Sequence, residues 1–282
     1  MREGQAVVDR HIAIWNESDR AKRRELIGQS WTEEELYLRV GAICVIAGSL
    51  AVFAFRLAHG DPPAATPEAH LQFVTDHPAY AGVHLGAILG VLVWVGGIIV
   101  LAGTFMDSLA RLLGRWGTAS VLIGAAIFGV DFTIDGVAGQ DLARAWAAAT
   151  PAAQADLVRA AHTATTMLRG PSLMAIVILW GLPLLLFGRA MMLEGYPTWL
   201  GWTGLVVGAV TILGATALLL QPELFPGVVV YGLLASVLVQ MWSLVLGLVM
   251  WHRASTGVAE RGRGAALRFR DHAVRQDPRG SS

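Results

Sequence analysis

Residues 77–106 read HPAYAGVHLGAILGVLVWVGGIIVLAGTFM, and these 30 consecutive positions contain no Asp, Glu, Lys or Arg. An α-helix rises about 1.5 Å per residue, so about 20 mainly apolar residues cross the ~30 Å hydrocarbon core of a bilayer. This stretch is long enough to cross with residues to spare. It predicts a transmembrane helix and thereby decides the class of the fold.

Similar stretches lie on both sides of this one. Residues 195–222 and 224–252 are also free of charged side chains, over 28 and 29 positions. Three shorter runs of 16, 15 and 19 uncharged residues follow Arg39, Arg115 and Arg169. The pattern predicts an all-α, polytopic membrane helix bundle with six transmembrane helices, at about 39–58, 79–104, 116–137, 171–190, 198–220 and 227–251.

The composition agrees with this class. Hydrophobic residues make up 55% of the 282 positions, charged residues make up 15%, and the mean hydropathy is +0.55. These values exclude a single soluble globule. The 21 basic and 21 acidic side chains sum to zero and give no indication of a nucleic-acid partner. The lone cysteine, Cys44, excludes an intrachain disulfide and a cysteine-based zinc site.

Charge is distributed unequally between the two sides of the predicted bundle. Six spans place both termini on one side, which then carries 17 basic and 13 acidic residues. The opposite side carries four basic and eight acidic residues. Because basic loops remain cytoplasmic, we expect both termini on the cytoplasmic side of a bacterial inner membrane, an N-in/C-in orientation. The outer side is then the acidic one.

Three regions follow from these patterns. Residues 1–38 are predicted to form a cytoplasmic amphipathic helical hairpin. Residues 39–252 form a six-helix transmembrane domain, with outer helical segments at 61–77 and 138–169. Residues 253–282 form a disordered basic cytoplasmic tail. Each outer segment contains a Thr-Pro pair, at Thr66-Pro67 and Thr150-Pro151. Threonine at the N-cap followed by proline predicts the beginning of a helix at both places.

The N-terminal region predicts two helices, at about 4–16 and 19–29, with Ser18 or Asp19 capping the second. Its runs VDRHIAIWNE, RRELI and WTE, which begin at Val8, Arg23 and Trp31, resemble the opening of polyketide-cyclase-like proteins of the nuclear-transport-factor superfamily. The resemblance covers residues 5–37 and excludes the curved sheet that forms that family's pocket, so it implies no catalytic residue. Residues 1–38 are therefore a remnant, a docking element for a protein partner, or the product of a misjudged gene start.

The transmembrane region carries a second resemblance. Its six-pass layout, with the segment YPTWLGW at 196–202 opening the fifth span, is similar to bacterial membrane-protein families of unknown function. The similarity implies the fold class and no activity. Glycines at helical spacing on the second and fifth spans, such as Gly86, Gly90, Gly204 and Gly208, predict close helix packing.

The carboxylate pair Asp131 and Asp135 is the strongest functional signal. At positions i and i+4 the two side chains share one face of the third span, and an acid inside a span is functional by default. Two like charges at this spacing destabilise each other unless a cation or a proton compensates. Arg169, just before the fourth span at the same level, is the candidate partner, and the alternative role for Arg169 is an anchor at the lipid headgroups.

Five of the eight histidines lie on the outer side: His59, His70, His77, His84 and His162. The first three are interpreted as solvated loop residues, and the last two are candidate site residues. No HExxH or HxxxH spacing is present, so no local motif predicts a metal ion. A site assembled from different helices, by the two candidate histidines with Asp131 and Asp135, stays open.

Gln240 is the last candidate site residue. It lies on the sixth span with Ser236 and Ser243 on one polar face, and we expect it to find a hydrogen-bond partner inside the bundle. Two interpretations remain: a link between helices, or the lining of a polar pathway.

Two function classes and one structural alternative fit these residues. The first, which we favour, is the binding, transport or sensing of a proton, cation or small solute through an acidic outer vestibule. The second is a membrane enzyme acting on a lipid, isoprenoid or quinone with an Asp/His site near the outer leaflet. The third is a non-catalytic subunit of a membrane complex. The sequence indicates no particular cofactor, and the expected partners are the lipid bilayer and a small solute or lipid-like ligand.

Overall fold

A computed structural model describes residues 33–62 and 66–256, together with Asp19 and Lys22. The described residues contain helices and no strand. In chain order the helices are α1 (Glu33–His59), α2 (Pro67–Asp76), α3 (Tyr80–Gly103), α4 (Ser108–Ala148), α5 (Pro151–Leu193), α6 (Thr198–Leu220) and α7 (Val229–Thr256).

Six of these helices, all except α2, are long and apolar enough to cross a membrane. Each predicted span coincides with one of them, and the fifth agrees at both ends. The prediction of an all-α, six-helix membrane bundle is therefore confirmed. Helix α1 begins at Glu33, earlier than the predicted start at 39, because charged and polar residues continue the helix beyond its apolar part.

Helices α4 and α5 are much longer than a membrane requires. They contain 41 and 43 residues, which at about 1.5 Å per residue is about twice the ~30 Å hydrocarbon thickness. The predicted outer segment 138–169 is thus the continuation of these two helices on either side of a turn at Ala149 and Thr150. Its many alanines explain the continuity, since alanine is the best helix former.

The two Thr-Pro pairs begin helices as predicted, with Thr66 and Thr150 at the N-cap positions, but only one of the two hydroxyls makes a capping hydrogen bond. The Thr66 hydroxyl accepts a hydrogen bond from the Ala69 amide at 3.1 Å, and Pro67 is the first residue of α2. Pro151 is likewise the first residue of α5, yet the Thr150 side chain makes no capping bond. The predicted N-cap position of Thr150 is confirmed, and only the side-chain hydrogen bond is missing.

Helix α2 packs on the extended parts of α4 and α5. Leu71, Val74, Tyr80, Ala143 and Ala161 form one buried cluster there. The partly buried side chains of Leu142, Trp146 and Val158 surround it. The cluster fixes the beginning of α3, and this is where the site residues lie.

Small residues allow close helix contacts, as the glycine spacing predicted. A Cβ added to Gly86 would meet the Phe55 ring of α1 at 2.2 Å, and one added to Gly90 would lie 3.0 Å from the side chain of Ala51. Gly208 of α6 approaches Gly181 of α5, whose carbonyl oxygen would lie 2.7 Å from an added Cβ. Lipid offers no hydrophobic drive for association, so such contacts supply the packing.

Three stretches of the long helices are π-helical: Ile134–Ala138 in α4, Ile176–Gly181 in α5 and Val229–Leu238 in α7. The stretch in α5 ends two residues before Pro183, which cannot donate a backbone hydrogen bond. The Ser120 hydroxyl of α4 donates to the Ile178 carbonyl oxygen at 2.5 Å, which satisfies a backbone acceptor inside this stretch. π-Helical turns often occur at functional sites.

The described residues fall into two compact units, one of which is 41–248. Of the other unit, residues 33–40 and 249–256 are described, and in it Arg39 donates to the Ser255 hydroxyl at 3.4 Å and lies over the Trp251 ring. The Lys22 amide donates to Asp19 at 3.3 Å, the contact expected of the predicted cap. The rest of the predicted hairpin and most of the basic tail lie outside the described residues.

Candidate functional site

A cavity of about 810 Å³ lies within the 41–248 unit, between the C-terminal part of α1, the short α2, the beginnings of α3 and α7, and the middle of α4 and α5. We call it the His/Asp cavity. Its wall is mostly apolar and aromatic, with Phe55, Phe128, Phe132, Trp180 and Tyr231 among the lining side chains. Three predicted site residues also line it: Asp131, Asp135 and His162.

Asp135 and His84 form the centre of the site. His84 Nε2 lies 3.0 Å from Asp135 Oδ2, and the Tyr80 hydroxyl donates to the same oxygen at 3.2 Å. The His84 side chain is 1% exposed and the Asp135 side chain 30% exposed. The sequence placed both residues in a candidate site, and the structure brings them into direct contact.

Local geometry explains how His84 reaches this position. Tyr80 and His84 are one turn apart at the beginning of α3, and His84 Nδ1 lies 2.8 Å from the Tyr80 carbonyl oxygen. Gly136 in the π-helical stretch of α4 leaves room for the imidazole, because an added Cβ would lie 2.5 Å from His84 Cβ. The histidine is therefore held from its own helix and from the neighbouring one.

His59 also belongs to this site, contrary to its interpretation as a solvated loop residue. It is the last residue of α1, is half-buried, and its ring centroid lies 4.8 Å from that of His84. Suitable ligand atoms of His59, His84 and Asp135 all lie within 4.8 Å of one another. Sequence spacing did not reveal the cluster because its members come from three helices.

Asp131 occupies a different part of the wall. It is 3% exposed, and its Oδ2 accepts a hydrogen bond from the Ser172 hydroxyl of α5 at 2.6 Å. Its Oδ1 is buried and has no hydrogen-bond partner within the described part of the chain. Buried carboxylate oxygens are normally paired, so this atom marks a place where a proton or a ligand is expected.

The predicted pairing of Arg169 with the aspartates is not observed. The Arg169 side chain is exposed and donates to the Leu219 carbonyl oxygen at 3.4 Å. It makes no ion pair with Asp131 or Asp135 in the structure described. Arg56 lines the same cavity, but it pairs with Asp61 and donates to the Gly60 carbonyl oxygen at 2.6 Å.

The remaining candidates lie apart from the His84–Asp135 contact. His162 is exposed at the cavity wall on α5. Gln240 is 1% exposed and donates to the Ala235 carbonyl oxygen of its own helix at 3.3 Å, while its Oε1 has no partner among the described residues. It is not part of the cavity wall, so its contact supports neither a link to another helix nor a pathway lining.

His70 and His77 differ in their surroundings. His70 lines the cavity from α2, and burial lowers its pKa, a shift that the negative charge of Asp135 partly offsets. His77 is exposed and stacks on Phe73, as befits a surface residue. Of the three histidines interpreted as solvated, only His77 has that environment.

These features define a multi-pass membrane helix bundle with a cavity that contains two carboxylates and several histidines. Comparisons with models of protein families, with characterised proteins and with solved structures yield no match. Function must therefore be argued from the geometry of the cavity. That geometry offers an acidic group without a countercharge, aromatic walls, and a histidine–carboxylate cluster.

Proposed function

We propose that the protein binds a small cationic solute in the His/Asp cavity, for transport or sensing, with a proton taking the place of the solute on Asp131 when the cavity holds none. The observation that carries the proposal is the buried carboxylate of Asp131, with one oxygen lacking a partner among the described residues.

The charge of Asp131 requires compensation. A carboxylate taken out of water loses several kcal/mol of solvation unless a cation or enough hydrogen bonds replace the water. Ser172 supplies one hydrogen bond, and neither Arg56 nor Arg169 pairs with Asp131 in the described structure. The missing charge must therefore arrive as a proton or as a cation from the cavity.

The size and the wall of the cavity favour an organic cation over a bare ion. A volume of about 810 Å³ lies within the usual range of small-molecule sites, about 300–1,000 Å³. Phe128, Phe132 and Trp180 line it, and aromatic faces attract ammonium groups that have left water. An apolar body with one positive charge matches these walls and Asp131 together.

The proposal includes the orientation of the protein and the membrane in which it lies. An excess of basic residues beside both termini supports an N-in/C-in orientation in a bacterial inner membrane. In this orientation the cavity faces the outside, so the protein would meet its solute there. A protein partner at residues 1–38 remains a prediction, because that segment is almost entirely outside the described residues.

The experiment measures the binding of tetraphenylphosphonium, a lipophilic cation, to the detergent-purified full chain by equilibrium dialysis. Removing the charge with Asp131→Asn should weaken binding at least about tenfold, a loss of about 1.4 kcal/mol, because the buried carboxylate that pairs with the cation is gone. The matched control is Asp141→Asn, which removes an exposed carboxylate from the same helix and should bind like the wild type. Equal binding by wild type and Asp131→Asn would contradict the proposal.

A second candidate function is supported by a different observation. His84, Asp135 and Tyr80 form a connected acid–base group beside an apolar cavity, which fits a membrane enzyme acting on a lipid, isoprenoid or quinone. An organic extract of the purified protein distinguishes the two. A stoichiometric neutral lipid or quinone, retained by Asp131→Asn as by the wild type, would favour the enzyme.

A further inference from the structure

His59, His84 and Asp135 meet from the end of α1, the beginning of α3 and the π-helical stretch of α4. One ligand atom from each residue lies within 4.8 Å of the others. Two imidazoles and one carboxylate from separate helices are a common donor set for divalent transition metals. This cluster is distinct from Asp131, on which the solute proposal rests.

Backbone contacts determine which imidazole nitrogens are free to bind. His59 Nδ1 lies 2.8 Å from the Gly60 carbonyl oxygen, and His84 Nδ1 lies 2.8 Å from the Tyr80 carbonyl oxygen. A carbonyl oxygen only accepts, so Nδ1 carries the hydrogen in both rings. Each Nε2 is then left with a lone pair. Metal-binding histidines typically show this arrangement, in which the second nitrogen donates to a backbone carbonyl or a carboxylate.

A single glycine, Gly60, provides the carbonyl oxygen that orients the His59 ring. Gly60 follows α1 directly and has φ +67°, in the left-handed region that glycine adopts without steric cost. Its carbonyl oxygen accepts from both His59 Nδ1 and Arg56 Nη1, the latter at 2.6 Å. The last turn of α1 is therefore closed around this carbonyl, which orients the ring.

The His84–Asp135 contact then requires a positive charge. With its hydrogen on Nδ1, a neutral His84 presents a lone pair to Asp135 Oδ2 at 3.0 Å, and two acceptors at that distance repel. A metal ion between the two atoms would resolve this, because two ligands each about 2.1 Å from one tetrahedral ion lie about 3.4 Å apart, a few tenths of an ångström more than the observed distance. A second proton on His84 would resolve it as an ion pair.

We propose that His59, His84 and Asp135 bind a divalent transition-metal ion of the zinc class. The Tyr80 hydroxyl, 3.2 Å from Asp135 Oδ2, is a positioning group for the carboxylate. His59 and Asp135 line the His/Asp cavity, so the coordination positions not filled by protein face it. Three protein ligands with an open position characterise zinc sites that act on a bound molecule, whereas structural sites have four.

His59 separates the metal site from a simple ion pair. Within the described residues the ion pair joins His84 to Asp135 without His59. If only the ion pair exists, His59→Ala leaves the response to metal as it is in the wild type. If the metal site exists, His59→Ala removes one of three ligands and should weaken binding by about 100-fold or more, since loss of even an outer-shell partner costs 10–100-fold.

The experiment uses the full chain, purified in detergent through a tag without histidines and stripped with a chelator. Zn²⁺ is added back, and bound metal per chain and the thermal midpoint are measured. Co²⁺ in place of Zn²⁺ gives a visible absorption spectrum as a second reading. Wild type should bind one ion per chain, with a metal-dependent rise of the midpoint that His59→Ala and Asp135→Asn both lack.

His77→Ala removes an exposed histidine near the cavity and should bind Zn²⁺ like the wild type. His59→Ala should keep the metal-free thermal midpoint of the wild type, which shows that it folds. Wild type without a Zn²⁺-dependent shift, or the same shift in His59→Ala, would mean an ion pair only and overturn the proposal. Either result leaves tetraphenylphosphonium binding at Asp131 unaffected, so the two proposals fail separately.

Discussion

Gly136 determines how closely α4 approaches the histidine of the site. A Cβ at this position would lie 2.5 Å from His84 Cβ and 2.7 Å from Cγ, so the imidazole or the helix must move. We expect Gly136→Ala to destabilise the protein by about 1–3 kcal/mol, the usual cost of overpacking. Thermal unfolding of the purified protein measures the change.

Gly129 of the same helix provides the comparison. An added Cβ there meets nothing within 4 Å, and alanine is favoured over glycine in a helix by about 0.5–1 kcal/mol. Gly129→Ala should therefore raise the unfolding midpoint slightly or leave it unchanged. Similar midpoints for the two variants would show that the contact with His84 is unimportant for stability.

For single residues, the sequence predicted which side chains belong to the site better than it predicted where those side chains lie. Asp131, Asp135 and His84 were predicted as site residues because an acid or a buried histidine in a span needs a reason to be there. His59 was missed, since the end of an apolar helix and the beginning of a loop look alike in sequence. Tyr80 carried one usable signal, its spacing one turn before His84 at the beginning of the same helix.

The N-cap of helix α2 can be tested by comparing Thr66, whose hydroxyl makes a capping hydrogen bond, with Thr150, whose hydroxyl makes none. Thr66→Ala removes the acceptor of the Ala69 amide and should cost α2 about 1 kcal/mol, seen as faster hydrogen exchange in its first turn. Thr66→Ser should retain the protection, because serine caps equally well. Thr150→Ala is the matched control, since its side chain caps nothing. Equal exchange rates in α2 of wild type and Thr66→Ala would contradict the role of the cap.

At the scale of elements, the sequence predicted the six spans because hydropathy responds directly to the thickness of the membrane. It did not predict the π-helical stretches, since a π-turn depends on what packs beside it. In α5 one such stretch lies where Gly124 of α4 comes so close that an added Cβ would be 2.5 Å from the Leu179 amide nitrogen. The sequence of neither helix alone predicts this contact.

Across the whole chain, the short helix α2 packs on the C-terminal part of α4 and the N-terminal part of α5, and the three helices together enclose one side of the cavity. His70 of α2, Asp135 of α4 and His162 of α5 all line it. The outer segment 138–169 is thus part of a continuous wall held by the buried cluster that contains Leu71 and Val74. Ligand access then depends on the orientation of the bundle, which decides the side from which the cavity is reached.

Orientation is tested with single cysteines and a membrane-impermeant maleimide. In a Cys44→Ala background, Ala155→Cys and Ser108→Cys place one thiol at the exposed beginning of α5 or of α4. Because these two positions flank opposite ends of the bundle, we expect Ala155→Cys to be labelled in intact cells and Ser108→Cys only after the membrane is opened. The Cys44→Ala protein alone should remain unlabelled. The reverse pattern would put the His/Asp cavity on the cytoplasmic side, and the basic residues near the termini would then no longer explain the topology.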